Sequence, residues 1–587
     1  MSDMATSLSA PGISASLSAR PPARSKDNRF ALPLALAIFL TAWACTGAHF
    51  QADTSVYTSA ILTHQHRLPA DDYHRLTSNP FWEFGHLLWR PIGWVSFAIG
   101  GPLIRVFHSS ERVKVMWSLM TLDFVASVIC VTCFFLLARR VINSTWVALL
   151  SALLLGFSDA FLNYSHSGNA YPVGLACLVA GIYSSISASA PVISKFKAGI
   201  AGLMFALAVL FWFPYIFVLP AAFVTPLLLQ GHDRHRLQLA GVSIGVCALV
   251  GFAAYSAAIA QLGISNLGDL RAWILAAGHG QSQPGGLRAV ARLAFSLPRS
   301  FINMGNDGML LKRYLVNDPY SPERLADLVR LSLWKIALFY ASLIVVCVAL
   351  RRSKTGHALL LVLATSAIPI VLFSLFLFEA GSIERYLPLY PFVFLAWGYA
   401  LASPERGILV KTLLITLFVS IMIVNINAMR RGTLQKAEDQ GRERILSLVP
   451  KLTPASLVLA VNEQDSLAEF CHEFPLDPIN SEHQWRYYDV LEVNAARLST
   501  WRRDLATRML WSWHDGGTVW IPLRVLRDRP EPDWNWVEGD DPRVRWTDLP
   551  AFFTRFNRDP PVGGPDGFVS LPDDRNNEQI ATAFTKR

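Results

Sequence analysis

The sequence is poor in charge and in cysteine. Charged residues make up 16% of its 587 residues, hydrophobic residues make up 52%, and the mean hydropathy is +0.34. These proportions are typical of a polytopic membrane protein with a soluble appendage. Of the seven cysteines only Cys471 lies outside the apolar runs, which excludes a disulfide framework in the C-terminal part. Cys130 and Cys133 have a zinc-like spacing, but no second pair accompanies them, so we interpret both as packing residues.

Three familiar signatures are missing from the sequence: the Walker loop, the GxGxxG fingerprint and the HExxH motif of zinc proteases. The net charge of +9 does not indicate a nucleic-acid partner, because the basic excess lies in the apolar part before Ala428. Basic residues between apolar runs report membrane topology instead. We therefore expect no nucleic acid among the partners.

Apolar runs of span length predict an all-α polytopic membrane domain of about eleven transmembrane helices over residues 30–427. The first run is too long for the core of a signal peptide, so we interpret it as a retained anchor. It follows a disordered cytoplasmic tail, residues 1–29. The predicted spans are 30–49, 113–138, 145–162, 171–189, 198–212, 215–229, 238–260, 332–350, 357–378, 388–403 and 407–427.

A twelfth apolar stretch, 86–107, contains helix breakers and a charge, among them Arg90-Pro91. If this stretch does not cross, the basic clusters from Arg139 to Lys411 all fall on the cytoplasmic side, as the positive-inside rule requires. We therefore interpret it as interfacial or re-entrant helices on the outer face of a bacterial inner membrane. The segments then expected in the periplasm are the loops 51–112, 261–331 and 379–387 and the C-terminal part 428–587.

The C-terminal part, 428–587, alternates strand and helix signals and predicts a small α/β extracytoplasmic domain. Its tryptophans are interpreted as core residues or membrane-surface anchors rather than sugar platforms. The expected strands are 456–461, 518–523 and 567–571, and the expected helices are 432–448, 495–513 and 549–556.

Asp53, a few positions past the first apolar run, is the candidate catalytic residue. Charge at the lipid–water boundary is costly and usually has a function. A carboxylate there can act as general base toward an acceptor hydroxyl, or can bind a divalent metal such as Mg²⁺ or Mn²⁺. The alternative is a helix N-cap for the Thr-Ser segment that follows. Asp71 and Asp72 are interpreted as a solvated turn.

Two other segments supply candidate substrate-binding residues. Glu83 and His86 lie three positions apart and share a helix face, so with Arg90 they predict an acid–imidazole–cation ladder. The alternative is that these three residues satisfy one another. The second outer loop, 158–172, adds His166 and Asn169 and predicts either a polar sugar cradle or an ordinary turn.

The late segment EAGSIERYLPLYPF, 379–392, contributes Glu384, Arg385 and Tyr386 as further substrate-binding candidates. A guanidinium fork matches phosphate oxygens, so we predict Arg385 to hold a phosphate. A local pair with Glu379 or Glu384 is the alternative. In the long loop, basic residues alternate with apolar ones over 285–301, a pattern that indicates an amphipathic helix docked on lipid head groups.

These features together resemble the GT-C class of integral-membrane glycosyltransferases. The nearest likeness is to bacterial relatives of protein O-mannosyltransferases and of lipid A aminoarabinose transferases. The features are the acidic residue after span one, the His-Leu-Leu-aromatic segment His86–Trp89, the second outer loop and the ERYLPLYPF segment. The resemblance covers about residues 30–427.

This resemblance implies a polyprenyl-phosphate sugar donor and an inverting transfer to an acceptor hydroxyl on the outer face. Asp53 would be the catalyst and Arg385 would hold the donor phosphate. The enzyme would be a hexosyl- or pentosyltransferase among membrane lipids, with a glycan, lipid or protein acceptor. The class often has a second acidic residue in the second outer loop, where this chain has only Asp159 at the edge. The metal is therefore left unassigned.

Two other functions stay open at this point. An O-antigen-ligase or polymerase-like enzyme would be built around Arg and His of a late outer loop, such as Arg288 and His279. A non-enzymatic transporter of lipid-linked glycans would show inverted repeats and facing charges in mid-membrane. The main intramembrane acid of the sequence is Asp123.

Overall fold

The computed structural model describes most of the chain, with gaps. Statements about its structure refer to the described residues, which are 31–33, 35–36, 39–40, 54, 57–58, 60–62, 81–104, 111–142, 144–189, 193–231, 233–277, 287–304, 324–377, 380–403, 407–431, 444–445, 447–453, 455–461, 487–490, 493, 498–527, 544–564 and 567–586.

The first part of the chain is a helical bundle. The helices are α1 Trp89–Ile104, α2 Glu111–Val141, α3 Thr145–Phe157, α4 Asp159–Tyr164, α5 Ala170–Ala188, α6 Lys195–Phe211, α7 Leu219–Gln230, α8 Arg234–Leu262, α9 Leu267–Ala276, α10 Leu287–Phe301, α11 Leu325–Leu328, α12 Trp334–Leu350, α13 Lys354–Phe376, α14 Tyr390–Ala402 and α15 Ile408–Arg431. Short 3-10 turns occur at Phe84–His86, Phe213–Val218 and Ile383–Leu389, and a π-helical turn at Val329–Leu333.

Seven helices in the described part of the chain are long and apolar enough to cross a membrane, which characterises a multi-pass membrane protein. They coincide with seven of the eleven predicted spans. Among the rest, 145–162, 198–212 and 388–403 correspond to the shorter helices α3, α6 and α14, and 30–49 is described only in part. Eleven crossings therefore stay a prediction. The seven helices are Lys114–Val141, Ala170–Ala188, Phe213–Gln230, Arg234–Leu262, Leu325–Leu350, Lys354–Phe376 and Ile408–Ala428.

Helix ends follow local capping rules. Asp233 begins α8 by accepting a hydrogen bond from the N–H of Arg236 at 2.8 Å, and Ser144 accepts from Val147 at the start of α3. At the other end of α8, Gly263 adopts φ +64°, the left-handed conformation that glycine tolerates best. These caps determine where the helices of the bundle end and where its turns begin.

Close approach of α6 and α8 requires a glycine. A Cβ added to Gly202 would lie 2.3 Å from the carbonyl oxygen of Ser243, so a larger residue would push the helices apart. The opposite side of α8 carries exposed apolar side chains, Leu249 and Phe252 among them. Such a face suits lipid rather than water.

The last membrane helix, α15, is fixed to the bundle through Asn425. Its carboxamide donates to the carbonyls of Phe157 at 2.7 Å and Phe301 at 2.9 Å, and accepts from the N–H of Asn303 at 2.8 Å. Asn425 is buried. A buried amide with this many partners specifies how α3, α10 and α15 meet.

The C-terminal part contains a small sheet flanked by helices. Its strands are β1 Leu457–Ala460, β2 Tyr487–Asp489, β3 Val519–Pro522 and β4 Phe568–Leu571, and its helices are α16 Trp501–His514, α17 Asp548–Phe553 and α18 Arg575–Thr585. The strand order is β2-β1-β3-β4. β1 is parallel to β2 and β3, while β3 and β4 are antiparallel, with Val519 opposite Leu571.

All four residues of β1 are buried because both faces of the strand are covered. Leu457 and Leu459 pack in one apolar cluster with α16, whereas Val458 and Ala460 pack with Ile445 and neighbours on the other face. The small sheet lies in the part of the chain where the sequence predicted an α/β domain, and a separate extracytoplasmic domain stays a prediction. Strand β2 and helix α18 were not predicted, and most of the expected helix 432–448 lies outside the described residues.

Candidate functional site

Glu83 and Arg90 form a buried ion pair. The Arg90 guanidinium lies 2.7 Å from the Glu83 carboxylate, and both side chains are buried. Arg90 also lies over the Tyr57 ring, 5.5 Å from its centroid. Burying a charge is costly unless it is paired, so each residue stabilises the other. Pairing of Glu83 with Arg90 was one of the two alternatives that the sequence left open, and substrate binding by Glu83 and His86 stays a prediction.

His86 lies between this ion pair and the second outer loop. Its Nδ1 is 3.1 Å from the carbonyl oxygen of Phe211. The imidazole ring contacts Tyr57 at 5.6 Å on one side and Tyr171 at 5.7 Å on the other. His86 therefore connects the first outer segment to the start of α5.

Three aromatic residues, Tyr164, Tyr171 and Trp212, form what we call the aromatic bridge. The ring centroids of Tyr171 lie 4.8 Å from Tyr164 and 4.8 Å from Trp212. The hydroxyl of Tyr215 donates to the carbonyl of Tyr171 at 2.7 Å, which fixes the backbone at the start of α5. Edge-to-face aromatic pairs at these distances are stabilising and rigid.

The aromatic bridge contacts the late outer segment at two points. Tyr164 donates a hydrogen bond to Glu384 at 3.0 Å, and the Arg385 guanidinium lies over the Trp212 ring at 5.7 Å. Nε of Arg385 is 3.8 Å from the Glu384 carboxylate, which is longer than a hydrogen bond. The structure thus brings the predicted residues His86, Glu384 and Arg385 to one aromatic cluster.

The hydroxyl of Tyr386, the third predicted residue of the late segment, is bonded to the backbone. Its hydroxyl donates to the carbonyl of Ala380 at 2.8 Å and its ring lies in the apolar core. Burial raises the pKa of the Tyr386 hydroxyl, so the group is neutral at physiological pH. In this position Tyr386 fixes the shape of the segment that carries Arg385.

The second outer loop is anchored by Asp123, which sequence reasoning noted only as an intramembrane acid. One oxygen of this carboxylate, Oδ2, accepts from the backbone N–H groups of Gly168 at 3.1 Å and Asn169 at 3.2 Å. The Asn169 side chain donates to the hydroxyl of Ser167 at 2.8 Å, and the Ser165 hydroxyl lies 3.2 Å from Nδ1 of His166. His166 and Asn169 thus belong to a hydrogen-bonded loop.

Asp159, at the edge of the same loop, is held in a second polar cluster. Its Oδ1 accepts from the side chain of Asn303 at 3.1 Å, and Nζ of Lys335 donates to the Asn303 carbonyl at 2.6 Å. Asp159 and Lys335 are both buried. This cluster joins the end of α10 to α4 and α12.

Asp53, Glu379 and His279 lie outside the described residues, so their predicted roles stay predictions. Among the residues that the structure does describe, no group of three or more His, Cys, Asp or Glu side chains could hold a metal ion. Asp53, the carboxylate that could bind a divalent metal, is not among these residues, so the metal stays unassigned.

Sequence reasoning missed the aromatic bridge. Tyr164 and Tyr171 lie within the second outer loop, 158–172, and Trp212 is the last residue of the predicted span 198–212. Aromatic residues at the ends of spans are usually interfacial anchors. No local pattern indicates that Tyr164 meets Glu384, because the two residues are 220 positions apart.

Comparison with known proteins gives one family match and several structural neighbours. Residues 103–259, less than half of the chain, match the family described as dolichyl-phosphate-mannose-protein mannosyltransferase. This segment contains Asp123, the second outer loop and the aromatic bridge. No curated protein matches the chain.

The similar solved structures include the archaeal oligosaccharyltransferase AglB from Archaeoglobus fulgidus, in complex with an inhibitory peptide and a dolichol-phosphate. It is 13% identical, with a TM-score of 0.47 over 93% of this chain and 74% of that one. ArnT from Cupriavidus metallidurans, bound to undecaprenyl phosphate, is 12% identical, with a TM-score of 0.49 over 92% of this chain and 98% of that one. Over residues 103–259 the chain resembles the dolichyl-phosphate-mannose-protein mannosyltransferases, and the resemblance to GT-C membrane glycosyltransferases predicted from its sequence is confirmed.

Proposed function

We propose that this protein is a glycosyltransferase that moves a sugar from a polyprenyl-phosphate carrier to an acceptor hydroxyl on the outer face of the membrane, with inversion. One observation carries the proposal. The Arg385 guanidinium packs on Trp212, which lies in the segment that matches the mannosyltransferase family. An arginine in such a place is suited to a phosphate group.

Several features of Arg385 support this role. The side chain is buried at 8% exposure, so its charge acts in a medium of low dielectric constant. Stacking on Trp212 holds the planar guanidinium in one orientation. The nearest oxygen of Glu384 lies 3.8 Å away, and that carboxylate accepts a shorter hydrogen bond from Tyr164. Glu384 therefore does not form a close bidentate pair with Arg385.

The proposed reaction is a single displacement. Asp53 accepts the proton of the acceptor hydroxyl while that oxygen attacks the anomeric carbon. A glycosidic C–O bond forms as the C–O bond to the carrier breaks, and the polyprenyl phosphate leaves with the electron pair. Arg385 stabilises the charge that develops on the leaving phosphate.

The experiment that tests this proposal is a comparison of envelope glycans from cells with and without the protein, and with the variant Asp53→Asn. We expect the product glycan to disappear in the deletion and in Asp53→Asn, at normal protein level, because the amide cannot accept the proton. Asp72→Asn, in the same loop, is the matched control and should retain the product. Full product with Asp53→Asn would refute Asp53 as the base.

A further inference from the structure

We propose that Asp123 is a positioning residue that fixes the second outer loop from inside the membrane domain, and that it holds this loop ready for the donor. The inference rests on the proposed function only in that the loop is taken to belong to the active site. The anchoring itself depends on hydrogen bonds in the described structure.

The first argument is the placement of the carboxylate. Asp123 lies in α2, within the candidate span Lys114–Val141, and is completely buried. A buried intramembrane acid is costly and is retained where it has a task. Its hydrogen-bond donors are the backbone N–H groups of Gly168 and Asn169, which lie 45 and 46 positions away. The carboxyl group of Asp123 therefore holds a loop of the chain, and among the described residues it forms no salt bridge.

The second argument is that α5 lacks a local cap. Asn169 is its N-cap residue, yet the side chain makes no capping hydrogen bond to the helix and donates to Ser167 instead. Asp123 instead accepts hydrogen bonds from the N–H groups of Gly168 and Asn169, the two residues directly before α5. Asp123 thus fixes the backbone through which the loop enters α5.

The third argument is that the loop is held from a second direction. The hydroxyl of Thr54 donates to the carbonyl of Ser167, and Thr54 directly follows Asp53 in the sequence. Gly168 has φ +81°, and an added Cβ would meet the Thr54 methyl at 2.9 Å. These contacts join the first outer loop, through Thr54, to residues 165–169 of the second outer loop, which Asp123 also binds.

A detail of the hydrogen bonding makes the proposal testable. Both of these hydrogen bonds use Oδ2, while Oδ1 of Asp123 is buried with no hydrogen-bond partner in the described part of the chain. One acceptor oxygen therefore suffices for anchoring. Asparagine keeps such an oxygen and leucine of similar size does not.

The test compares Asp123→Asn, Asp123→Leu and wild type in the full-length protein in lipid nanodiscs. Hydrogen–deuterium exchange of a peptide covering residues 165–170 reads the anchored amides directly. We expect exchange in Asp123→Leu to be faster by about tenfold or more, because the acceptor of two buried backbone hydrogen bonds is lost. Asp123→Asn should exchange like the wild type. Ser342→Ala, which removes a buried hydroxyl of α12, is the control.

The same variants are then assayed in cells for the product glycan. Asp123→Leu should lose most of the product glycan, whereas Asp123→Asn should retain it. Leucine and asparagine are similar in size, so side-chain volume alone does not explain such a difference. If Asp123→Leu is not recovered folded, Thr54→Val serves instead. Valine is nearly the same size as threonine but cannot donate the hydrogen bond to Ser167. We therefore expect Thr54→Val to speed hydrogen–deuterium exchange of residues 165–170 as well.

Three outcomes would overturn the inference. Unchanged exchange in Asp123→Leu and Thr54→Val would show that the loop is held by other contacts. Faster exchange with undiminished product would separate the loop from the reaction. Asp123→Asn behaving like Asp123→Leu would mean that the charge, not the acceptor oxygen, matters. Hydrogen–deuterium exchange is measured without any sugar donor. If the Asp53 experiment refutes the proposed function, the exchange measurement therefore still shows whether Asp123 holds the loop.

Discussion

Tyr164 donates a 3.0 Å hydrogen bond to Glu384 across 220 positions of sequence. This bond joins the helix that opens the second outer loop to the segment that carries Arg385. Without it, Glu384 would be free to turn toward the guanidinium 3.8 Å away. If Arg385 holds the donor phosphate as proposed, we expect the Tyr164 hydroxyl to influence how tightly it does so.

The variant Tyr164→Phe tests that influence. Loss of the hydroxyl should let Glu384 pair more closely with Arg385, so the affinity for undecaprenyl phosphate should fall by about tenfold, the scale of one hydrogen bond to a charged group. Binding is measured with purified protein in nanodiscs. Tyr183→Phe, at a tyrosine ring that stacks with Arg140, is the matched control and should bind normally. Unchanged affinity in Tyr164→Phe would refute the coupling.

Binding of the donor phosphate should depend on the planar shape of the side chain at position 385 as well as on its charge. Arg385→Gln removes the charge and should abolish both undecaprenyl phosphate binding and product. Arg385→Lys keeps the charge but loses the planar fork and much of the stacking on Trp212, so about a tenth or less of the affinity should remain. Lysine and arginine behaving alike would show that the fork is not used. Arg330→Gln, at an exposed arginine, is the control.

The Glu83–Arg90 pair should matter for stability more than for chemistry. Glu83→Gln leaves the buried Arg90 charge without its partner, which is expected to cost about 3–5 kcal/mol of unfolding free energy. Thermal unfolding in detergent measures this loss. The double variant Glu83→Gln/Arg90→Gln buries no charge at this position, so it should be more stable than Glu83→Gln alone.

An exposed ion pair provides the comparison. Asp327 and Arg330 lie 3.4 Å apart, with side chains 39% and 73% exposed, so Asp327→Asn should change stability by about 0–1 kcal/mol. If Glu83→Gln unfolds no earlier than Asp327→Asn while product is lost, Glu83 acts on substrate and the original ladder interpretation regains support.

Asp574 gives a pH-dependent prediction in the C-terminal part. Its side chain accepts hydrogen bonds from the Asn557 side chain at 2.9 Å and from the N–H of Asn577 at 2.8 Å at the start of α18. Two hydrogen bonds lower the pKa of Asp574 in the folded protein. The bond from the Asn557 side chain has the larger effect and the bond from the Asn577 N–H has the smaller one. The stabilisation is therefore complete above the unfolded pKa of about 3.9. It is lost as the pH falls through the folded pKa.

Asp574→Ala should weaken α18 by about 1 kcal/mol, the usual worth of an N-cap. Hydrogen exchange of peptides from 575–585 in the full-length protein measures the effect at neutral pH. Asp573→Ala, at the exposed neighbouring carboxylate, should leave exchange unchanged. Equal effects from the two variants would refute the capping role.

Most of the helical organisation could be predicted from the sequence because long apolar runs have few alternatives in a membrane. Where burial depends on distant partners, the sequence leaves alternatives open. For Arg90 these were a ladder facing substrate and mutual pairing, and in the structure Arg90 pairs with Glu83, because a charge beneath an apolar surface requires an opposite charge. The tyrosines and tryptophan of the aromatic bridge have no local signal. Strand β2 is only three residues long, too short for a periodic pattern.

The hydrogen bonds of Asn425 have a mechanical consequence. This residue lies on the helix that precedes the C-terminal part, and it is bonded to the end of α3 and to the end of the amphipathic helix α10. Because one amide joins these three elements, a displacement of α15 at Asn425 is transmitted directly to the ends of both α3 and α10.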